Sequence, residues 1–154
     1  MSATLKPIIS DASCLIVLQN IGEFDLLRKV YREVLTTQIV ADEFGEKLPD
    51  WVKIKNPKDK IRQTLLELQI DKGEASAIAL ALETANSTVI LDDQKARKIA
   101  ERLALNVTGT LGVIIKAKNS NIILSIKPLL KKLTETNFRL SEEITKEALK
   151  QANE

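Results

Sequence analysis

Asp11, Glu43, Glu74, Asp92 and Asp93 stand where a carboxylate can do more than face solvent. Asp11 follows the apolar run Pro7–Ile9, and Asp92-Asp93 follows Thr88–Leu91, so acids sit just past two candidate strands. Glu43 lies on a helical segment after a third candidate strand, and Glu74 opens a segment rich in small residues. In open α/β sheets the carboxyl ends of the strands form the edge where loops and helix N-termini converge and ligands bind. Taken singly, each acid has a plain structural use. An Asp after a strand caps the next helix, a Glu in a first turn complements the helix dipole, and Glu43 reads as surface charge. Gathered at one edge, however, they would repel one another and shift each other's pKa unless a cation sat among them. Such hard oxygen ligands suit Mg2+ or Mn2+. An ion of that kind lowers the pKa of a bound water and neutralises charge on a phosphodiester as it is cleaved. The chemistry within reach is metal-assisted hydrolysis of a phosphate ester.

What the chain lacks narrows the choice in the same direction. It has no His and one cysteine, Cys14, which excludes Ser-His-Asp and Cys-His catalysis and the usual zinc sites. A single Cys also excludes an internal disulfide and fits a reducing cytoplasm. No signal peptide or membrane-length apolar run is visible, so a cytoplasmic, membrane-free protein is expected. The net charge of +2 makes the overall field weak, and a nucleic-acid partner would need local basic patches. With 3% aromatic residues, base stacking on an aromatic platform is disfavoured. At 154 residues, 44% hydrophobic and 29% charged, one domain spanning residues 1–154 has enough material for a core.

The elements that would position the acids follow from local patterning. After the strand ending at Ile9, Ser13–Asn20 reads as a helix capped by Asp11 or Ser13 and closed by Gly22. Glu23–Tyr31 reads as a second helix, Glu33–Thr36 as a strand, Thr37–Glu46 as a helix and Trp51–Lys55 as an exposed strand. Lys58–Ile70 is expected to be a helix with Ile61, Leu65 and Leu68 on its apolar face. Asp71-Lys72-Gly73-Glu74 breaks it and starts the small-residue run Ala75–Ala85, which can pack very close to a sheet. Thr88–Leu91 is the clearest strand. It is followed by a helix over Gln94–Leu103 and a short strand at Asn106–Thr108. Gly109-Thr110-Leu111-Gly112 then turns into a helix to Lys118, and Ile122–Leu133 and Ser141–Ala152 supply two more. Strands alternating with helices point to a parallel sheet with crossover helices.

The order Asp11-Ala12-Ser13, Glu43-Phe44, Gly73-Glu74-Ala75 and Leu91-Asp92-Asp93 resembles the PIN (PilT N-terminus) domain nucleases, in particular a short prokaryotic subfamily related to VapC-type toxins. The resemblance spans roughly Ile8 to Lys118. It implies a parallel-sheet α/β/α fold, acids binding Mg2+ or Mn2+, and hydrolysis of phosphodiesters in single-stranded RNA. Matched residue by residue, Asp11 corresponds to the family's first acid, Ser13 to its supporting hydroxyl, Glu43 to the second acid and Glu74 to the third. Asp92 or Asp93 corresponds to the fourth, and Asp11, Glu74, Asp92 and Asp93 are the expected metal ligands. For a toxin, the resemblance further implies a small antitoxin protein that blocks the acidic groove, and a homodimer. Two departures stand out. Leu91 replaces the Thr or Ser often found two places before the last acid, and the third acid is Glu rather than Asp.

Several other residues border this reading. Gly109-Thr110-Leu111-Gly112 lacks the Lys of a P-loop, so it reads as a turn into a tightly packed helix with the Thr110 hydroxyl near the site. Lys95, Arg97, Lys98 and Arg102 form the basic outer face of the helix that starts at the aspartate pair. Arg97 first, then Lys95, are the candidates to hold an RNA backbone. Cys14 reads as core, and Trp51 as packing or an interface contact. The alternative to a ribonuclease is a PIN-like binding or regulatory module with weak or lost catalysis. An Asp-nucleophile phosphatase ranks below both, because position 13 is Ser where that chemistry wants a second Asp.

Overall fold

Short apolar and β-branched runs form strands of three residues and, except after the third, hand over within one to three residues to capped helices. In the computed structural model, which describes residues 6–154, the chain opens with β1 (Ile8–Ser10), α1 (Ala12–Asn20), α2 (Leu26–Val30), β2 (Val34–Thr36), α3 (Gln38–Phe44) and β3 (Val52–Ile54). It continues with α4 (Lys60–Glu67), α5 (Lys72–Leu82), β4 (Thr88–Ile90), α6 (Gln94–Arg102) and β5 (Asn106–Thr108). Three helices end it: α7 (Thr110–Asn119), α8 (Lys127–Thr134) and α9 (Glu142–Gln151). The first five positions of the expected domain lie outside the described residues.

All strand pairs are parallel, in the order β3-β2-β1-β4-β5. The chain steps outward from β1 to β3 and then returns to lay β4 on the other side of β1. The order therefore reverses between β1 and β4, and an open α/β sheet offers its ligand crevice at that point. Ser10 pairs with Ile90 in the ladder, so the residues just past them, Asp11 and Leu91-Asp92, come off the sheet side by side.

The strand residues alternate between two cores, which makes the fold three-layered. Ile8, Val34 and Ile90 join Leu15, Leu18, Val113, Ile114 and Leu130 on one face. Ile9, Leu35 and Val89 join Ile78, Leu80, Ala96 and Ala100 on the other. In α5 the buried run Ala75 to Ala81 lets the helix lie close against β1 and β4, as its small residues imply. No helix of the described residues is long and apolar enough to cross a membrane.

Three expectations change. The helix expected over Glu23–Tyr31 shrinks to α2, because Phe24 and Asp25 lie in a turn. The helix expected from Ile122 starts only at Lys127, with a proline in its first turn, where a missing N–H costs nothing. In α4 the face carrying Ile61, Leu65 and Leu68 points outward, with the three residues 76%, 60% and 79% exposed. Leu66 and Ile70 pack inward with the core beneath α5 instead. Periodicity identifies side chains that share a face; it does not say which face finds a partner.

Candidate active site

Polar burial is concentrated at the carboxyl edge of the sheet. Of the buried polar residues, Ser10, Asp11, Thr36, Thr37, Ser76 and Thr110 lie at strand ends or helix starts there; Ser87, just before β4, is the exception. Asp11 is the one buried acid among the described residues, at 3% exposure. It caps α1: its Oδ1 accepts the Cys14 N–H at 3.0 Å. The turn carrying it is fixed by hydroxyls, with Ser10 Oγ donating to the Asp11 carbonyl and Thr36 Oγ1 to the Ser10 carbonyl, both at 2.9 Å.

The aspartate pair divides its labour, which sequence alone left open. Asp92 reaches across to β5 and α7. Its Oδ1 accepts the Thr110 N–H at 2.8 Å and its Oδ2 the Thr110 hydroxyl at 2.6 Å. Gly109 caps α7 without a side chain, so Asp92 supplies the anion that this helix N-terminus wants. Asp93 instead caps its own helix α6, accepting the Ala96 N–H at 2.9 Å. Arg97 is half-buried rather than on the outer face of α6. Its Nη1 donates to the Leu91 carbonyl at 3.3 Å and lies beside Asp92. A methyl at Gly109 would stand 2.7 Å from Arg97 Nη1 and 2.8 Å from Asp92 Oδ1, so glycine leaves the room this pair occupies. Lys95 is exposed on α6, and Leu91 is core.

The two glutamates arrive at the N-terminus of α5. Asp71 caps that helix, accepting the Glu74 N–H at 2.8 Å, and Glu74 sits half-buried in its first turn. Glu43, on the last turn of α3, reaches over to Gly73 and packs its carboxylate where a side chain at that position would be. Thr37 caps α3, and its hydroxyl meets that of Ser76 at 2.7 Å, tying α3 to α5. Ser13 is exposed on α1 and lines a groove of about 870 Å³ with Ile16, Asp92, Arg97, Gly109 and Phe138.

These acids feel one another. Desolvation first, then the charge of Asp92, with a lesser push from Glu74, raises Asp11 to about 8 against the pull of the Cys14 and Asp92 peptide N–H groups. Burial first, then Asp71 and Asp93, with Glu43 behind them, raises Glu74 to about 7. Burial, with Asp71 adding to it, raises Glu43, opposed by the Gly73 N–H. Burial, followed by Asp11 and Asp92, also drives the Cys14 thiol upward, which makes it a neutral floor rather than a nucleophile. The edge therefore collects Asp11, Asp92, Glu74, Asp93 and Glu43, with Asp11–Asp92 at the switch point and Glu43 on the flank. Asp71, not anticipated as part of the cluster, belongs to it; its Asp-x-x-Glu spacing to Glu74 is the capping signal that would have found it.

The donor set is hard oxygen throughout, and ionising Asp11 and Glu74 within it unaided is unfavourable, which is the setting a divalent cation relieves. The residues fit such an ion. Among the described residues no three of the acids already converge into a cage for it. Asp92 and Asp93 are held instead by the Thr110 hydroxyl and the Ala96 N–H, which donate to them. A family model described as PIN domain matches residues 7–154 of the chain. No curated protein matches it.

Proposed function

The chain belongs to the PIN domain family, whose members are generally nucleases, and on that premise we propose that it is a Mg2+- or Mn2+-dependent ribonuclease hydrolysing phosphodiester bonds in single-stranded RNA. The observation that carries this reading is the desolvated Asp11 beside Asp92 at the sheet's switch point, where the Asp92 charge raises the cost of ionising Asp11 and Glu74 adds to it. In this reading Asp11, Asp92 and Glu74 hold the cation, and Asp93 and Glu43 shape the field around it. Once bound, the ion would supply an acidified water and charge neutralisation on the phosphate. Thr110 holds Asp92 in a fixed rotamer. Asp11 is oriented by the start of α1, so neither carboxylate must be ordered during the reaction. The groove running from Asp92 past Ser13 to Phe138 offers a path for a strand; Arg97 and Arg139 line it as cations for its phosphates, whereas Lys95, exposed on α6, is not part of its lining.

The resemblance favours a toxin paired with a small antitoxin protein, acting in the cytoplasm, as the biological setting. One observation favours a second reading, a PIN-like module that binds without cleaving: both oxygens of Asp92 are already taken by Thr110. Incubation of purified protein with labelled single-stranded RNAs, with Mg2+ or Mn2+ and with chelator, separates the two. The ribonuclease reading requires metal-stimulated cleavage that disappears in Asp11→Asn. Cleavage that Asp11→Asn leaves intact contradicts it, and binding without cleavage selects the second reading.

A further inference from the structure

We propose that the groove beside the acids is a pocket for one unpaired RNA base, with Phe138 as the ring on which that base stacks. It rests on the nuclease reading for the phosphate at the acidic edge and adds what selects the nucleotide attached to it. Two helices wall the groove with single faces. Ser13, Ile16, Val17 and Asn20 recur at i, i+3, i+4 and i+7 on α1, and Ile144, Glu147, Ala148 and Gln151 do so on α9. Ile16 and Ile144 are large apolar side chains left open to solvent, at 38% and 46% exposure, and both line this groove. Gly109 and Gly112, at the start of α7, line it with backbone alone. At about 870 Å³ the groove falls in the range of pockets that take a small ligand.

The lining favours a base over an apolar peptide. The chain has three Phe, one Trp and one Tyr, and of these only Phe138 lines the groove. Phe24 packs against Phe44 and Trp51 away from it, and Tyr31 is buried under Lys116. The Phe138 side chain packs on the core, and its turn is pinned. Thr136 Oγ1 donates to the Leu133 carbonyl at 2.7 Å and accepts the Phe138 N–H at 3.1 Å. One anchored ring cannot carry a run of stacked bases, but it suits a single base. Such a base must be unpaired to be splayed into a groove, which gives single strands their advantage. The rest of the lining has the groups a base edge requires. Gln94, Asn137 and Gln151 bring side-chain amides that make no hydrogen bond among the described residues, each able to donate and to accept. Glu147 can accept from an exocyclic amine, and Arg97 and Arg139 are at hand for the flanking phosphates. An apolar peptide would leave these groups unpaired.

Amide NMR spectra of the protein in chelator, titrated with nucleoside monophosphates and with ribose phosphate, test the pocket without cleavage. The nucleotides should shift the Asn137 and Phe138 backbone amides and the Gln151 side-chain amide, saturating in the millimolar range. Ribose phosphate, which has the phosphate but no base, should leave them in place. Phe138→Leu keeps an apolar side chain on the core and removes the ring. It should weaken nucleotide binding about 5-fold or more while the far-UV spectrum stays unchanged. With Mg2+ and a randomised single-stranded RNA, the same variant should lose the base preference beside the cleavage site. No shift in the groove, or the same shifts from ribose phosphate, overturns the pocket. Cleavage with an unchanged preference in Phe138→Leu overturns it too and leaves the nuclease reading standing. Groove shifts without metal-stimulated cleavage keep the pocket and sink the nuclease reading instead.

Discussion

The proposed chemistry rests first on Asp11, because the fold takes this one acid out of water while giving it a helix N-terminus to face. Replacing it with Asn keeps the cap and removes the charge. RNA cleavage with Mg2+ should fall by about 100-fold or more in Asp11→Asn. The same change should stabilise the metal-free protein at pH 8, read from denaturant melts. The sign follows from the raised pKa. Below the ordinary 3.8 the carboxyl is protonated in both states and costs nothing; between there and about 8 only the unfolded chain ionises, so stability drains away as pH rises. Gly109→Ala is a second test at this scale. Its methyl would collide with Asp92 Oδ1, which Thr110 pins, and with the Arg97 guanidinium. Activity should drop at least tenfold, with a stability loss of about 1–2 kcal/mol. Asp11 was legible in the sequence because one acid ended one apolar run. Which of Asp92 and Asp93 turns toward it was not, since that depends on the path of β5 and α7 many residues later.

At the scale of elements, the site is a convergence of helix N-termini. Asp11, Thr37, Asp71 and Asp93 cap α1, α3, α5 and α6 with their own side chains, and Asp92 serves α7 from across the sheet. The dipoles of these helices offset part of the repulsion among the acids. Asp71 joins two roles, capping α5 and pressing on Glu74. Asp71→Asn should keep the cap and lower the Glu74 pKa, measured by NMR of its carboxyl carbon; an unchanged value would mean that burial, Asp93 and Glu43 raise it without Asp71. In α5, Ala77→Leu should cost about 1–3 kcal/mol, because the helix lies against β1 and β4 with no room for a larger side chain. Strands and caps were readable because both depend on a few neighbouring residues. The outward turn of Ile61, Leu65 and Leu68 was not, because it depends on what α5 offers Leu66 and Ile70.

Across the whole molecule, the parallel sheet brings to one edge acids that are 81 residues apart in the case of Asp11 and Asp92. The order β3-β2-β1-β4-β5 was beyond local patterning, since it is set by how the two cores close. Raising pH from about 4 to about 8 should lower the melting temperature of the metal-free protein, as Asp11 and then Glu74 resist ionising while their unfolded counterparts do not. Millimolar Mg2+ should reverse this at pH 8, by about 2–5 °C, and do little at pH 5, where protons already hold both acids. The sharpest test is the anomalous difference map of a crystal soaked in Mn2+. The account predicts a peak between the carboxylates of Asp11 and Asp92, with Glu74 turned toward it. A soaked crystal with no peak at this edge, or with its only peaks elsewhere on the surface, would contradict it.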